Sequence, residues 1–265
     1  MPSVISPGGH RYNRNIPPPL PHHMMLTRIT PALPPVIDLR ASAGPVKDQR
    51  SEGSCTGHAF SSCMEWIFRR YLNQAPVLSP QFFYAEELIA DGDFPNDNGS
   101  DGLTGCCVAT GKGCCEAASY PYVAGQILRP TPDQETNARK YLMGAYHGIP
   151  GSKVALSVLG DPVPWPIEIG FTVYESFESN WAIPGVMPVP KNGESVLGGH
   201  EVAGTGGYDI GDTPTLRPVG CPPAVLIQNS WGGDFGLQGF FWMPLVCLDA
   251  SDTDIKIVHS GKPWK

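Results

Sequence analysis

Pro45-Val46-Lys47-Asp48-Gln49-Arg50-Ser51-Glu52-Gly53-Ser54-Cys55-Thr56-Gly57-His58-Ala59-Phe60 places a cysteine where a loop turns into a helix. Beyond Cys55, the residues Phe60, Cys63, Met64, Ile67, Phe68 and Tyr71 recur at the i, i+3/i+4, i+7 spacing of a buried helix face. The periodicity predicts a helix from Cys55 to Tyr71, with Ser54 placed to cap it. A thiol at that first position meets the unpaired N–H groups of a helix start, whose partial positive charge stabilises a thiolate. Most cysteines are buried structural thiols; the position and company of Cys55 set it apart.

That company is Gln49, His200 in Leu197-Gly198-Gly199-His200-Glu201-Val202, and Asn229 in Gln228-Asn229-Ser230-Trp231-Gly232-Gly233. A thiolate attacking a carbonyl needs a proton acceptor, a third group that fixes the acceptor's ring, and N–H donors where negative charge develops. His200 follows two glycines and is expected at the mouth of a strand, with its ring uncrowded. Asn229 ends the apolar run Ala224–Gln228, and Trp231, two residues on, is placed to shield an Asn229–His200 hydrogen bond from water, which strengthens it. Gln49, six residues before Cys55, sets an amide beside the Cys55 N–H as an oxyanion hole. The other histidines, His10, His22, His23, His58, His147 and His259, are read as structural or surface residues.

Around this constellation the chain has 265 residues, 41% of them hydrophobic, enough for one large core or two modest ones. A net charge of −7 with 18 scattered basic residues excludes a general nucleic-acid binder. The 31 glycines and 29 prolines point to a loop-rich body. The first thirty residues hold no apolar run suited to a secretory signal and nothing downstream approaches a membrane span, so the expectation is a soluble protein without membrane association. Cys106-Cys107 and Cys114-Cys115 come as adjacent pairs, an awkward pattern for a disulfide framework, and this leans the reading towards free thiols in a reducing, cytoplasmic compartment.

Residues 1–35 stand apart: Pro17, Pro18, Pro19 and Pro21 lie in one run and there is no periodicity. Folding is expected from residue 36 onward. Ser79-Pro80 starts a second helix running to about Ala90, and Thr131-Pro132-Asp133-Gln134 is a capping box opening a third. Strand-like runs then dominate: 167–173, 200–208, 224–229, 239–243 and 255–258. A mainly helical part (36–145) followed by a mainly β part (146–265) predicts an α+β protein with a ligand cleft between the two.

The motifs PPVIDLR (34–40), PVKDQRSEGSC (45–55), LSPQFF (78–83), ASYPY (118–122), FTVYESFES (171–179), GGHEV (198–202), GGYD (206–209) and QNSWGGDFGLQGFFWMP (228–244) together resemble the papain-like cysteine peptidases, nearest their bacterial branch. The resemblance covers roughly residues 35–259. It implies a two-lobed fold, one lobe helical and one β-barrel-like, and endopeptidase-type acyl transfer through a Cys55–His200 ion pair. It also implies Gln49 and the Cys55 N–H as oxyanion hole, Asn229 as the orienting amide and Trp231 as its shield. Asn98, Gly99 and Ser100 occupy the place of the family's Asn-Gly-Gly segment, whose backbone pairs with extended substrate, and Gly199 would add a carbonyl from the opposite wall; the alternative for Asn98–Ser100 is an ordinary turn.

Two departures accompany the likeness. The family signature carries a second cysteine three residues before the nucleophile and an aromatic residue after it; here Glu52 and Thr56 stand there, so the family's disulfide cannot form in its usual place. The stretch between His200 and Asn229 is longer than the family's, and a loop from about Asp212 to Pro223 is expected to project between the strands.

Weaker signals yield to ordinary readings. Adjacent cysteines on a helix point about 100° apart and suit core packing better than a metal. The acidic run Asp91–Asp101 has Pro95 where a calcium loop needs a ligand and reads as a solvated loop. Gly204–Asp209 lacks the third glycine of a nucleotide fingerprint. No metal or cofactor is therefore expected.

The reading that results is a cysteine endopeptidase acting on peptide or protein substrates. Thirty residues of the 1–35 segment reach about 90 Å in polyproline form at about 3.1 Å per residue, and the segment is expected to lie as an extended strap over or beside the cleft and restrain activity; a disordered tail is the alternative. Two rivals stay open, a catalytically silent fold of this family used for binding and a transferase in which an amine replaces water at the thioester.

Overall fold

Helices dominate the first part of the chain, and α1 (Cys55–Leu72) is its centre. The computed structural model describes residues 33–179 and 181–259, so the stretch up to residue 32, and with it most of the expected strap, lies outside the described residues. Leu33 already packs against the core, and Pro35 accepts the Ile210 N–H at 2.8 Å.

α1 begins at Cys55 as its periodicity requires, and every residue from Cys55 to Phe68 is buried, where a single buried face was expected. Such a helix must satisfy its polar side chains internally. Glu65 does so by accepting from Lys47 Nζ at 2.8 Å and from the Leu78 N–H at 2.7 Å, and Trp66 Nε1 donates to the Leu39 carbonyl at 3.1 Å. Phe60, Met64, Trp66 and Ile67 are fully buried, each stabilising the fold by about 1.5–3 kcal/mol through lost apolar exposure. Asn73, left-handed at φ 51°, ends the helix.

α2 (Pro80–Asp91) starts as read, the Ser79 hydroxyl accepting from the Phe82 N–H with Pro80 in the first turn. Gly57 lets α1 and α2 touch: a Cβ there would lie 2.4 Å from the Pro80 carbonyl oxygen. α4 (Pro132–Ala138) carries the full capping box of Thr131 and Gln134. Between them stands α3 (Gly102–Gly111), absent from the sequence reading and capped by Asp101, whose carboxylate accepts from the Leu103 and Thr104 N–H groups.

Among the described residues, seven strands form one antiparallel sheet: β1 (Val36–Asp38), β2 (Ala145–Ile149), β3 (Ile167–Tyr174), β4 (Val196–Asp209), β5 (Ala224–Gln228), β6 (Phe240–Pro244) and β7 (Asp254–His259). The order is an open β2-β7-β3-β4-β5-β6, with β1 added on β4. A further helix, α5 (Gly151–Leu159), interrupts the β part of the chain. β4 is the hub, pairing with β3, β5 and β1 and packing on α1. Its Gly207, at φ +97°, lets β1 cross closely, because a Cβ there would meet the Ile37 carbonyl oxygen at 2.1 Å. The loop after β4 is pinned at its root by a buried Arg217–Asp209 ion pair, and puts Val219 at an exposed tip. All eight cysteines are free thiols, Cys107 alone exposed.

Candidate active site

The two parts of the chain meet through a short antiparallel crossing. Gln49 N–H donates to the Ser230 carbonyl at 2.8 Å, Gly232 N–H donates to the Lys47 carbonyl at 3.0 Å, and Asp48 bridges Trp231. This lays the segment before Cys55 directly on the segment after β5. From the other side, β4, which carries His200 and Glu201, packs on α1, and the Glu201 N–H favours the Cys55 thiolate.

Cys55 is 1% exposed. Burial pushes its thiol up from the ordinary range; the Glu201 and Thr56 N–H groups oppose that, and the charges of Glu201 and Glu87 reinforce it. The net direction is upward, contrary to what a helix tip alone predicts. A lone thiolate is therefore disfavoured here, and ionisation of Cys55 calls for a neighbouring group that takes the proton and stays as its counter-charge. Ser54 holds the N-cap position without capping: its hydroxyl lies 3.2 Å from His58 Nδ1 instead. His58 is a buried structural residue, hydrogen-bonded to the Ser54 carbonyl at 2.8 Å, and burial lowers its pKa to about 3.

His200 sits inside β4, opposite Phe171, and not at a strand mouth. Its Nε2 lies 2.8 Å from Asn229 Oδ1, and the same oxygen accepts the Ser230 N–H at 2.9 Å. A backbone N–H only donates, so it fixes which end of the Asn229 amide is oxygen, and His200 Nε2 must carry a hydrogen. In the neutral ring Nδ1 is then left as the proton acceptor. Trp231 stacks on the imidazole with centroids 4.8 Å apart, Phe171 meets it edge-on, and Phe177, Trp181, Phe235 and Phe241 extend the aromatic packing. Trp231 thus covers one face of the imidazole.

Gln49 is 4% exposed and held through both its amide and its backbone: Nε2 donates to the Glu52 carbonyl at 2.9 Å, Oε1 accepts the Ser230 hydroxyl, and its backbone carbonyl accepts the Tyr122 hydroxyl at 2.6 Å. An amide nitrogen has two hydrogens, so one remains beyond the bond to Glu52.

The two chain halves thus cross where a cysteine, a histidine and an asparagine are all buried. The description "Papain family cysteine protease" matches residues 33–247. The chain belongs to the papain family of cysteine proteases. An uncharacterised peptidase C1-like protein of Acanthamoeba polyphaga mimivirus is 26% identical over 209 residues, covering 74% of this chain and 63% of that protein. Cysteine proteinase B of Leishmania mexicana is 27% identical over 221 residues, covering 79% and 44%. The chain thus spans under two thirds of the length of these relatives. Among solved structures, the cysteine protease xylellain from Xylella fastidiosa superposes with a TM-score of 0.78 at 24% identity, covering 97% of this chain and 98% of that one, so the papain-like α+β fold is shared over nearly its full length.

Set in the papain fold, the remaining site residues fall into place unevenly. Asn98 is exposed, whereas Gly99 and Ser100 are buried. Gly99 N–H donates to the Tyr84 hydroxyl at 2.8 Å and the Ser100 hydroxyl donates to Asp91 at 2.8 Å, so both groups are turned inward. The segment nevertheless borders the nucleophile turn, a Cβ on Gly53 lying 3.5 Å from Gly99 N. Gly199, half-buried, pairs with Thr172 beside His200. The acidic run is more than a solvated loop: Asp97 accepts the Gly53 N–H at 2.9 Å and the Tyr84 hydroxyl at 2.6 Å, tying the loop to the approach of Cys55. Ser230, Tyr122, Asp97, Gln81 and Glu87 all brace the site and were missed in the sequence; only the departures at Glu52 and Thr56 hinted at a different support.

Proposed function

We propose that this chain is a cysteine endopeptidase that cuts peptide bonds through Cys55, His200 and Asn229. The observation that carries the reading is the His200–Asn229 hydrogen bond, whose direction is set by the Ser230 N–H and makes Nδ1 the basic nitrogen of the neutral ring. Transfer of the thiol proton to His200 gives a thiolate–imidazolium pair, which suits a buried sulfur that resists ionising alone. The thiolate adds to the scissile carbonyl carbon and the carbonyl π electrons move to oxygen, held by the Cys55 N–H and the second Gln49 hydrogen. Collapse breaks the C–N bond as His200 protonates the leaving amine, leaving a thioester. Water, deprotonated by His200, adds to the thioester; its collapse releases the acid and restores the thiolate–imidazolium pair.

Substrate is an extended peptide or protein strand lying along Asn98, Gly99 and Ser100 on one side and Gly199 on the other. A resting state restrained by residues 1–35 bearing on the cleft is part of the same proposal. The reaction so drawn calls on no cofactor, needs a reducing setting to keep the Cys55 thiol active, and involves neither nucleic acid nor membrane. The test is hydrolysis of a fluorogenic peptide by reduced protein: turnover is expected for the native chain and loss of at least a thousandfold for Cys55→Ala and His200→Ala. Full turnover by Cys55→Ala would refute the mechanism.

A further inference from the structure

Two positions flanking Cys55 break the family pattern, and each is tied to α2 through a buried carboxyl group. Glu52, 3% exposed, accepts from Gln81 Nε2 at 2.6 Å. Thr56, the residue after Cys55, donates its hydroxyl to Glu87 Oε2 at 2.6 Å, and both side chains are fully buried. Gln81 and Glu87 both belong to α2, which Gly57 admits to close contact with the first turn of α1.

The ties end at the reacting groups. The Glu52 carbonyl receives Gln49 Nε2, and the Thr56 N–H, next to Cys55 in the first turn of α1, favours the thiolate. A shift at Glu52 displaces the oxyanion amide, and a shift at Thr56 turns the helix start that faces the thiol. We propose that Glu52 and Glu87 are positioning residues for the nucleophile, clasping the turn before α1 and its first residues to α2 without a covalent staple. This rests on the reading of Cys55 as nucleophile.

The chemistry of the clasp favours neutral carboxyls. Burial raises both groups above the usual carboxylate range. Glu87 is pushed further by Asp91 on its own helix, Glu201 on β4 and Asp101 at the start of α3; Glu52 is pushed by Asp97. In each group Oε1 is buried without a hydrogen-bond partner, which an acid tolerates far better than an anion does.

The experiment measures kcat, KM, melting temperature and the thiol pKa, read from the pH dependence of iodoacetamide alkylation, for the full-length chain and for Thr56→Val, Thr56→Ser and Glu87→Gln. Thr56→Val is expected to lower kcat about tenfold or more with KM within about twofold, and to raise the thiol pKa by about one unit. Thr56→Ser and Glu87→Gln, which keep the hydrogen bond, should stay within about threefold of the native kcat. A folded Thr56→Val with native kcat and thiol pKa overturns the proposal, as does a loss that only follows the unfolded fraction. Should Thr56→Val fail to fold, Glu87→Gln decides: a tenfold loss in the folded protein overturns it, and near-native kcat with an unshifted thiol pKa supports it. Cys55→Ala run alongside separates the two readings, since activity surviving there would sink the nucleophile assignment itself.

Discussion

His200 Nε2 is 2.8 Å from Asn229 Oδ1 across 29 residues of chain, and that oxygen is shared with the Ser230 N–H. One carbonyl oxygen therefore reports both where β5 ends and which tautomer the imidazole adopts. Asn229→Ala removes the partner but leaves His200 packed between Trp231 and Phe171. The expected result is a fall in kcat of about tenfold to a hundredfold with KM nearly unchanged, measured by steady-state peptide hydrolysis.

Gln49 is expected to matter more than its surroundings suggest. Gln49→Ala should cost about a hundredfold to a thousandfold in kcat, the usual loss of an oxyanion donor. Ser230→Ala, which only releases the Gln49 Oε1 anchor, should cost about tenfold. Equal losses for the two would show that Gln49 acts as a brace and not as a donor.

A pH-dependent stability follows from Glu168. It is fully buried on β3 facing Cys63, neither carboxyl oxygen has a well-formed hydrogen bond, and burial, reinforced by Glu201, holds it well above the usual carboxylate range. The folded chain keeps this proton while the unfolded chain loses it near pH 4.3 or about there, so stability is highest below that pH and erodes as pH rises towards the folded value. Glu168→Gln cannot ionise in either state. Its melting temperature should exceed the native value by more at pH 8 than at pH 5, by calorimetry; a gap that narrows with pH would contradict the burial argument.

Removal of residues 1–32 tests the restraint while sparing Leu33 and Pro35, which pack on the fold. If the open form is about one tenth of the resting population, kcat/KM for a short peptide should rise about tenfold. An unchanged rate would assign those residues some other role.

What was legible in the sequence follows from how far each signal reaches along the chain. α1, α2 and α4 were visible because apolar spacing and caps such as Ser79-Pro80 and Thr131–Gln134 are local. α3 was hidden because Gly-Leu-Thr-Gly-Cys-Cys-Val-Ala-Thr-Gly offers small residues in place of a periodic apolar face, and Asp101 was the one signal that could have revealed it. α5 is nine residues long among strands, too short for its Val154, Ala155, Val158 and Leu159 spacing to outweigh them. Cys55, Gln49, His200 and Asn229 stood out through their local settings. Their supports did not: Gln49 and Ser230 meet across 181 residues, Thr56 and Glu87 across 31, and no spacing rule marks such pairs.

The central claim is that one thiol, Cys55, is the nucleophile, and it is tested most directly by mass spectrometry after treatment with an epoxide thiol trap. Eight free cysteines compete, of which Cys107 alone is exposed. The account predicts a single adduct on Cys55 in the reduced chain lacking residues 1–32, parallel loss of peptidase activity, and no such adduct in Cys55→Ala. Inactivation accompanied by an adduct on Cys107, or on any other cysteine with Cys55 unmodified, would contradict it.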